Sequence, residues 1–414
     1  MKIKRVIARE IYNSRGLPTI ECELVLHNDV RVMAAAPSGL SIGKNESVPL
    51  FDNESRLMGH GVLKAINMIE TKIAPLLIGR EPNVVELDTE LIELDGTENK
   101  SVLGANTMIA VSLAICKAQA FCEGIELYEL IAYLCGFDEV SIPGPMFNLI
   151  NGGVHANNGL QIQEFMIVPV GMSSFRMAVE AGVMVFQTLK QLLKQQGKST
   201  AVGDEGGFTP ENMSEIDVLD CLTMAIEIAS KEFEGTLMIA LDVAASRLYD
   251  THHKMYNWQG KKILAEELVE WYKKIVSHYP IYSIEDGLVE SDWQQWATLH
   301  TELKSKTRIV GDDIFASHAS LIWQGIQQGV ADTVLIKPDQ VGTLTETLQA
   351  IKLCKEYDLN TIISHRSGET NDSFIADLAV GVSANLIKSG APSRGERIAK
   401  YNRILRIEEE LSSF

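Results

Sequence analysis

The stretch TVLIKPDQVGTL, residues 333–344, decides the fold. Apolar and β-branched residues run up to Lys337, and Pro338 ends the run at once. A short, near-continuous apolar run marks a strand covered on both faces, as in parallel sheets. Six other runs share this build: EFMIVPV (164–170), TLMIALD (236–242), IYSIED (281–286), RIVGDD (308–313), TIISHR (361–366) and ANLIKSG (384–390). From Asp242 onward the closing residues are Glu285, Asp312, Lys337, His365 and Lys388, spaced by 43, 27, 25, 28 and 23 positions. A parallel strand with its return helix needs about that length. The pattern predicts an α/β barrel, and periodicity alone predicts a regular one with all strands parallel.

The chain before this region reads as α+β. Ile20–Leu26 alternates, His27-Asn28-Asp29 offers a turn, and Val30–Ala35 returns, which is a hairpin. PSGLSIGKNES, residues 37–47, reads as a solvated loop. Helical periodicity follows over Gly61–Ile73, Asn106–Cys122 and Leu127–Leu134. SIPGPMFN, residues 141–148, breaks any helix, and a domain boundary is expected there: residues 1–136 as a small capping domain, 137–414 as the barrel.

With 414 residues the chain suits two domains, and its 46% hydrophobic, 22% charged composition is that of a globular protein. A net charge of −18 argues against nucleic acid and anionic membranes, which need clustered Lys and Arg. Six scattered cysteines with no C-x-x-C pair read as reduced thiols in a cytoplasmic protein. The N-terminus lacks the apolar core of a signal peptide, and the apolar run Met108–Cys116 is too short to span a bilayer.

Ionisable groups at successive strand ends matter because active sites of barrels lie there. Asp242, Glu285 and Asp312 converging without a cation would repel one another, so they ask for a metal. All are hard oxygen donors, which suits Mg²⁺ better than Zn²⁺. Among cations in a dry cleft, Lys337 is expected to have a depressed pKa and to act as a base on a carbon acid. Two further clusters stand out. NGGVHANNGLQIQEF brings His155 near Gln163 and Glu164, and VGDEGGF sets Glu205 beside glycines that permit close approach to a ligand.

Taken together, NSRGLPTIECE, PSGLSIG, ELDGTENKSVLGAN, NGGVHA, QEFMIVPVG, VGDEGGF, ALDVAAS, SIEDG, VGDD, LIKPDQVG, SHRSGET and RIEEEL resemble the enolase family nearly end to end and in its order. The resemblance implies a small α+β cap on a modified (β/α)8 TIM-type barrel whose first strands are not all parallel. It implies dehydration of 2-phospho-D-glycerate to phosphoenolpyruvate, with two Mg²⁺ per site. By likeness, Lys337 is the base at C2, Glu205 the acid at the C3 hydroxyl, and Glu164 its assistant. Gln163 contacts substrate, while His155 and His365 surround it. Asp242, Glu285 and Asp312 hold the tight Mg²⁺, and Ser41 closes over the second. Arg366 and Ser367 take the phosphate, and Lys388 the substrate carboxylate. Such a division of labour needs Lys337 neutral and Glu205 protonated at once. The likeness also implies a homodimer, with Glu21 and Arg406 pairing across it, and allows secondary display at the cell surface.

Some positions depart from the family pattern. Asp339 stands where Asn is usual, Ile42 replaces a threonine, Pro49 and Phe51 alter the segment after the loop, Arg247 replaces an acid, Asn371 a Glu, and Gly395 a Ser. Asp339 is expected to point to solvent beyond Pro338; facing the site instead, its charge would favour protonated Lys337. Two alternatives are a diverged paralogue serving as a non-enzymatic binding scaffold, and a related barrel dehydratase acting on sugar acids.

Overall fold

The structure is a computed structural model describing residues 1–39 and 43–413. Ser41 and Ile42, singled out above, lie outside the described residues. The chain opens with an antiparallel sheet of β1 (Ile3–Tyr12), β2 (Pro18–Leu26) and β3 (Arg31–Ala35). Strands β2 and β3 form the expected hairpin, with Glu21 opposite Ala35 and Val25 opposite Arg31. Strand β1 escaped the pattern reading because Lys4, Arg5, Arg9 and Glu10 interrupt its apolar alternation.

Helices then pack on this sheet. The expected helix over 61–73 is a run of three segments, Leu63–Met68, a π-helical turn Ile69–Ile73, and Ala74–Leu77. Helix Val84–Asp95 was not expected; its start is fixed by the Asn83 side chain accepting from the Glu86 amide at 3.2 Å. The next helices, Ala105–Glu123 and Leu127–Cys135, match expectation within two residues and both end on a left-handed glycine. Helix Ala105–Glu123 is long and apolar enough to cross a membrane, but most of its residues are buried within the protein.

Eight strands close the barrel: β4 (Gly144–Asn151), β5 (Glu164–Val170), β6 (Thr236–Asp242), then, after a small excursion β7 (Tyr249–Asp250), β8 (Met255–Trp258) and β9 (Lys261–Ile263), strands β10 (Ile281–Glu285), β11 (Arg308–Gly311), β12 (Thr333–Ile336), β13 (Asn360–Ser364) and β14 (Leu386–Lys388). Around the barrel the order is β10-β11-β12-β13-β14-β4-β5-β6. Met146, Met166, Val168, Ala240, Val310, Leu335, Ile362 and Leu386 make a separate buried cluster contributed by seven of these strands, the packed lumen of the barrel.

The regular barrel expected from periodicity is corrected here. Strand β5 runs antiparallel to both β4 and β6, while all other pairings are parallel. The physical cause is in the connections. Between β4 and β5 the chain holds only a three-residue helical turn, Gly153–His155, with no crossover helix to carry it back, so the strand returns antiparallel. Between β5 and β6 lie two helices, Phe175–Gln195 and Glu215–Ala229, which carry the chain out and back to the end it left. Strand β4 itself was read as a break: Gly144 and Pro145 exclude a helix but are tolerated in the first residues of a strand.

Candidate active site

Strand register assembles the acids. Glu164 on β5 is the direct partner of Asp242 on β6, and Asp242 that of Glu285 on β10. Because β5 is reversed, Glu164 begins its strand while Asp242 and Glu285 end theirs, so all three reach one rim. From the other side of the barrel β14 delivers Lys388. Its Nζ donates to both Glu285 oxygens at 2.9 Å and lies 3.0 Å from Glu164 Oε2 and 3.5 Å from Asp242 Oδ2. Every side chain in this group is nearly sealed from solvent. Lys337 follows β12 and donates to Asp312, which follows β11.

Second partners hold these groups in place. Gln340 donates from Nε2 to Asp312 Oδ1 at 3.0 Å, and Ser317 donates from Oγ to Gln340 Oε1 at 2.6 Å. Ser317 Oγ also accepts the Lys337 amide at 2.9 Å. Asp286, one residue beyond Glu285, accepts the amides of Asp312 and Asp313 at 2.9 and 3.0 Å. The run PDQVG therefore serves the site through Gln340, a role its sequence did not announce.

Glu205 enters on the loop between the two long helices. Asn148 on β4 donates from Nδ2 to Glu205 Oε2 at 2.8 Å. The glycines after Glu205 allow close approach of neighbouring protein groups. A Cβ on Gly206, at φ +87°, would lie 3.0 Å from Ala391 Cβ, and one on Gly207 would lie 2.9 Å from both Asn148 Oδ1 and Asn151 Oδ1. His155 Nδ1 stands 3.7 Å from Glu205 and 3.8 Å from Glu164, and His365 Nε2 3.7 Å from Glu205.

Arg397, fully buried, was missed by sequence reading. It donates to His365 Nδ1 at 2.5 Å, to Arg366 O at 2.6 Å, to Ser367 O at 2.7 Å and to Asp204 O at 2.9 Å. A guanidinium only donates, so His365 Nδ1 accepts and its proton sits on Nε2, facing Glu205. Arg366, in turn, donates from Nη2 to Glu46 Oε2 at 2.8 Å, and its Nε lies 3.4 Å from Asp339 Oδ2. Glu46, Arg366 and Ser367 share one cleft with His155, Gln163 and Arg247.

With protein groups alone around them, Lys337 and Glu205 are not in the protonation states the expected chemistry needs. Burial works to depress Lys337, but the Asp312 carboxylate overrides it and the ammonium is held above its ordinary range. Burial works to raise Glu205, yet its neighbours, His155 first and then His365, Arg397 and Lys388, carry it well below the usual carboxylate range. His365 is driven down by burial and is uncharged at neutral pH, so Arg397 and Lys388 supply lasting positive charge near Glu205. Glu164 is the partner pushed well up, by burial and then by the charge of Glu205. The acid pair thus keeps its proton on Glu164 and its charge on Glu205.

The expected solvent position of Asp339 is also corrected. Its side chain is 12% exposed and lines an adjoining cavity of about 290 Å³ with Pro49, Phe51 and His60, Arg366 forming part of both walls. Its charged neighbour at contact is Arg366, not Lys337. Phe51 packs edge-on against His60 with ring centroids 5.8 Å apart. Gly395 and Asn371 are neighbours with room between them, a Cβ on the former lying 4.0 Å from Asn371 Oδ1. Glu21 pairs with Arg9 of the same chain at 3.2 Å, and Arg406 is exposed.

The donor set suits a hard divalent cation. Burial, then neighbouring carboxylates, push Glu285 up to about 8 and Asp313 up to about 7, which marks a surplus of negative charge. Among the described residues, two groups hold ligand atoms within 4.8 Å of one another: Asp286, Asp312 and Asp313, and His155, Glu164 and Glu205. Asp242 and Glu285 fall outside both, and Lys388 Nζ lies among their oxygens instead. Among the described residues, buried His155 Nδ1, Gln163 Oε1 and His365 Nε2, all on residues lining the cleft, have no hydrogen-bond partner, as expected where a polar ligand is to be received.

A cap over a barrel with one reversed strand, carrying paired acids and two lysines at the strand ends, defines an acid–base barrel enzyme. Family models give the particular kind. The chain matches the one described as enolase, N-terminal domain over residues 3–131, and the one described as enolase, C-terminal TIM barrel domain over residues 139–414. The chain belongs to the enolase family and is an enolase-type enzyme.

Proposed function

We propose that this protein catalyses the reversible dehydration of 2-phospho-D-glycerate to phosphoenolpyruvate, the glycolytic reaction. The observation that carries this reading is the meeting, at one rim, of Lys337 and Lys388 with Glu164 and Glu205. Asp242, Glu285 and Asp312 are the residues that would hold Mg²⁺, with Asp286 and Asp313 close by. When bound, the metal supplies the positive charge that offsets these carboxylates and acidifies the C2 proton through the substrate carboxylate.

Lys337 takes the C2 proton once Asp312 is otherwise engaged and the ammonium is no longer favoured. The electron pair of the C2–H bond first delocalises into the substrate carboxylate as an enolate, and then forms the C2=C3 double bond as the C3–O bond breaks. Glu205 protonates the departing hydroxyl, which leaves as water, and the proton comes from the store on Glu164. Lys388 faces the charge that builds on the substrate carboxylate. Arg366 and Ser367 hold the phosphate, for which a planar guanidinium is suited. His155, His365 and Gln163 complete the polar wall. The acidic surface is overcome locally by the buried cations. In the same reading the protein works in the cytoplasm as a homodimer.

The test is direct. Purified protein is mixed with 2-phosphoglycerate, and the ultraviolet absorbance of the enol product is followed with Mg²⁺ and with chelator. Mg²⁺-dependent product, abolished in Lys337→Ala, is expected. Folded, metal-loaded protein that forms no product would turn the reading towards a binding scaffold.

A further inference from the structure

Asp339 occupies a position that the dehydration scheme does not use. Its side chain is 12% exposed, its Oδ1 is sealed from solvent with no hydrogen-bond partner among the described residues, and its Oδ2 lies 3.4 Å from Arg366 Nε. Glu46 grips the same guanidinium through Nη2 at 2.8 Å. Two carboxylates therefore share the cation assigned to the substrate phosphate. Asp339 reaches it from the adjoining cavity, and is absent from the lining of the catalytic cleft.

We propose that Asp339 sets the strength of oxyanion binding at Arg366, partly neutralising the guanidinium from behind and taking up a proton when a divalent oxyanion arrives. The proposal rests on Arg366 being the phosphate contact. The charges around Asp339 fit this role. Burial raises its carboxyl to about 6; Arg366 and Lys337 pull it down, while Glu46 and Glu369 push it up. Arg15 and His60 line the same cavity. Near neutral pH the carboxylate is ionised, and an incoming dianion adds negative charge on the far side of one shared cation. The cheapest relief is a proton on Asp339. Asparagine at this position would leave Arg366 its fuller charge and bind phosphate more tightly, with slower release. Asp339 is thus a positioning residue that trades ground-state affinity for exchange.

Sulfate is the probe, because it stays a dianion across the working range and cannot itself supply the pH dependence. It is titrated calorimetrically into Mg²⁺-loaded protein, in buffers of differing ionisation enthalpy, for wild type, Asp339→Asn, Asp339→Glu and Arg366→Lys. Wild type is expected to take up a fraction of a proton per sulfate, and its affinity to fall about tenfold from about pH 5.5 to about pH 7.5, the change that a rise of roughly one and a half units in one carboxyl pKa would give. Asp339→Asn is expected to bind sulfate about tenfold tighter at the upper pH with that uptake gone, by the same linkage. Asp339→Glu should keep the uptake. Equal affinity and equal uptake in wild type and Asp339→Asn would overturn the proposal, since the proton would then belong to another group. Sulfate binding unchanged in Arg366→Lys, or absent in wild type, would instead remove Arg366 as the anion contact and with it that part of the proposed function.

Discussion

Replacing Lys388 by Met strips the only ammonium held among Glu164, Asp242 and Glu285 among the described contacts. The side chains of these four residues are 2–7% exposed, so water cannot screen what remains. At 2.9 Å and an effective dielectric of about 20, one lysine–carboxylate pair is worth roughly 6 kcal/mol of Coulomb attraction. Much of that offsets the cost of burying the ammonium. Truncating one partner of a buried pair nevertheless costs about 3–5 kcal/mol, because the orphaned charge stays buried. The carboxylates can escape by taking protons. Glu285 is already pushed up to about 8 by burial and Asp242, against the pull of Lys388, and removing that pull moves it further up. The deficit should therefore be larger at about pH 8.5 than at about pH 6, and Mg²⁺ should narrow it. All five tryptophans lie between Trp258 and Trp323, within the barrel, so their fluorescence during urea unfolding reports that part. Midpoints for Lys388→Met and wild type that coincide in chelator at both pH values would refute the reasoning.

In chelated wild type, Glu285 binds its proton more tightly folded than unfolded, about 8 against an ordinary 4.5. Stability should therefore be full below the lower value and fall as pH rises through the upper one, and saturating Mg²⁺ should flatten the slope; unfolding midpoints across pH check this. Asn148→Ala removes the 2.8 Å donor to Glu205 Oε2. Loss of a hydrogen bond to a charged group, about 1.5–3 kcal/mol, predicts a fall of roughly tenfold to a hundredfold in kcat with little change in KM, read from steady-state kinetics.

Much of this was legible because parallel strands announce themselves as apolar runs closed by a charge. Asp242, Glu285, Asp312, Lys337, His365 and Lys388 were found from spacing alone, and the structure brings all of them to one rim. Glu164 was found as a strand opener, yet periodicity could not say that β5 is reversed, since a continuously buried run reads alike in either direction. Strand β4 was hidden by Gly144 and Pro145, which signal a break in a helix without excluding a strand. Arg397, Asn148 and Gln340 were missed because each acts through a neighbour, and pairing across 32, 57 and 28 positions has no local sequence signal. The protonation of Lys337 and Glu205 was not legible because it depends on which opposite charge lies nearest, a three-dimensional fact. Asp339 was misplaced for a similar reason: a polar residue after a proline usually leaves the fold, and here Arg366 holds it in.

The central claim is that Lys337 removes the C2 proton while the Glu205–Glu164 pair serves the C3 hydroxyl. The most direct measurement is exchange of the C2 hydrogen of 2-phosphoglycerate with solvent deuterium, followed by NMR with Mg²⁺ present, in wild type, Lys337→Ala and Glu205→Gln. The account predicts exchange in wild type, exchange without net product in Glu205→Gln, and none in Lys337→Ala. Exchange that persists in Lys337→Ala would contradict the assignment of the base.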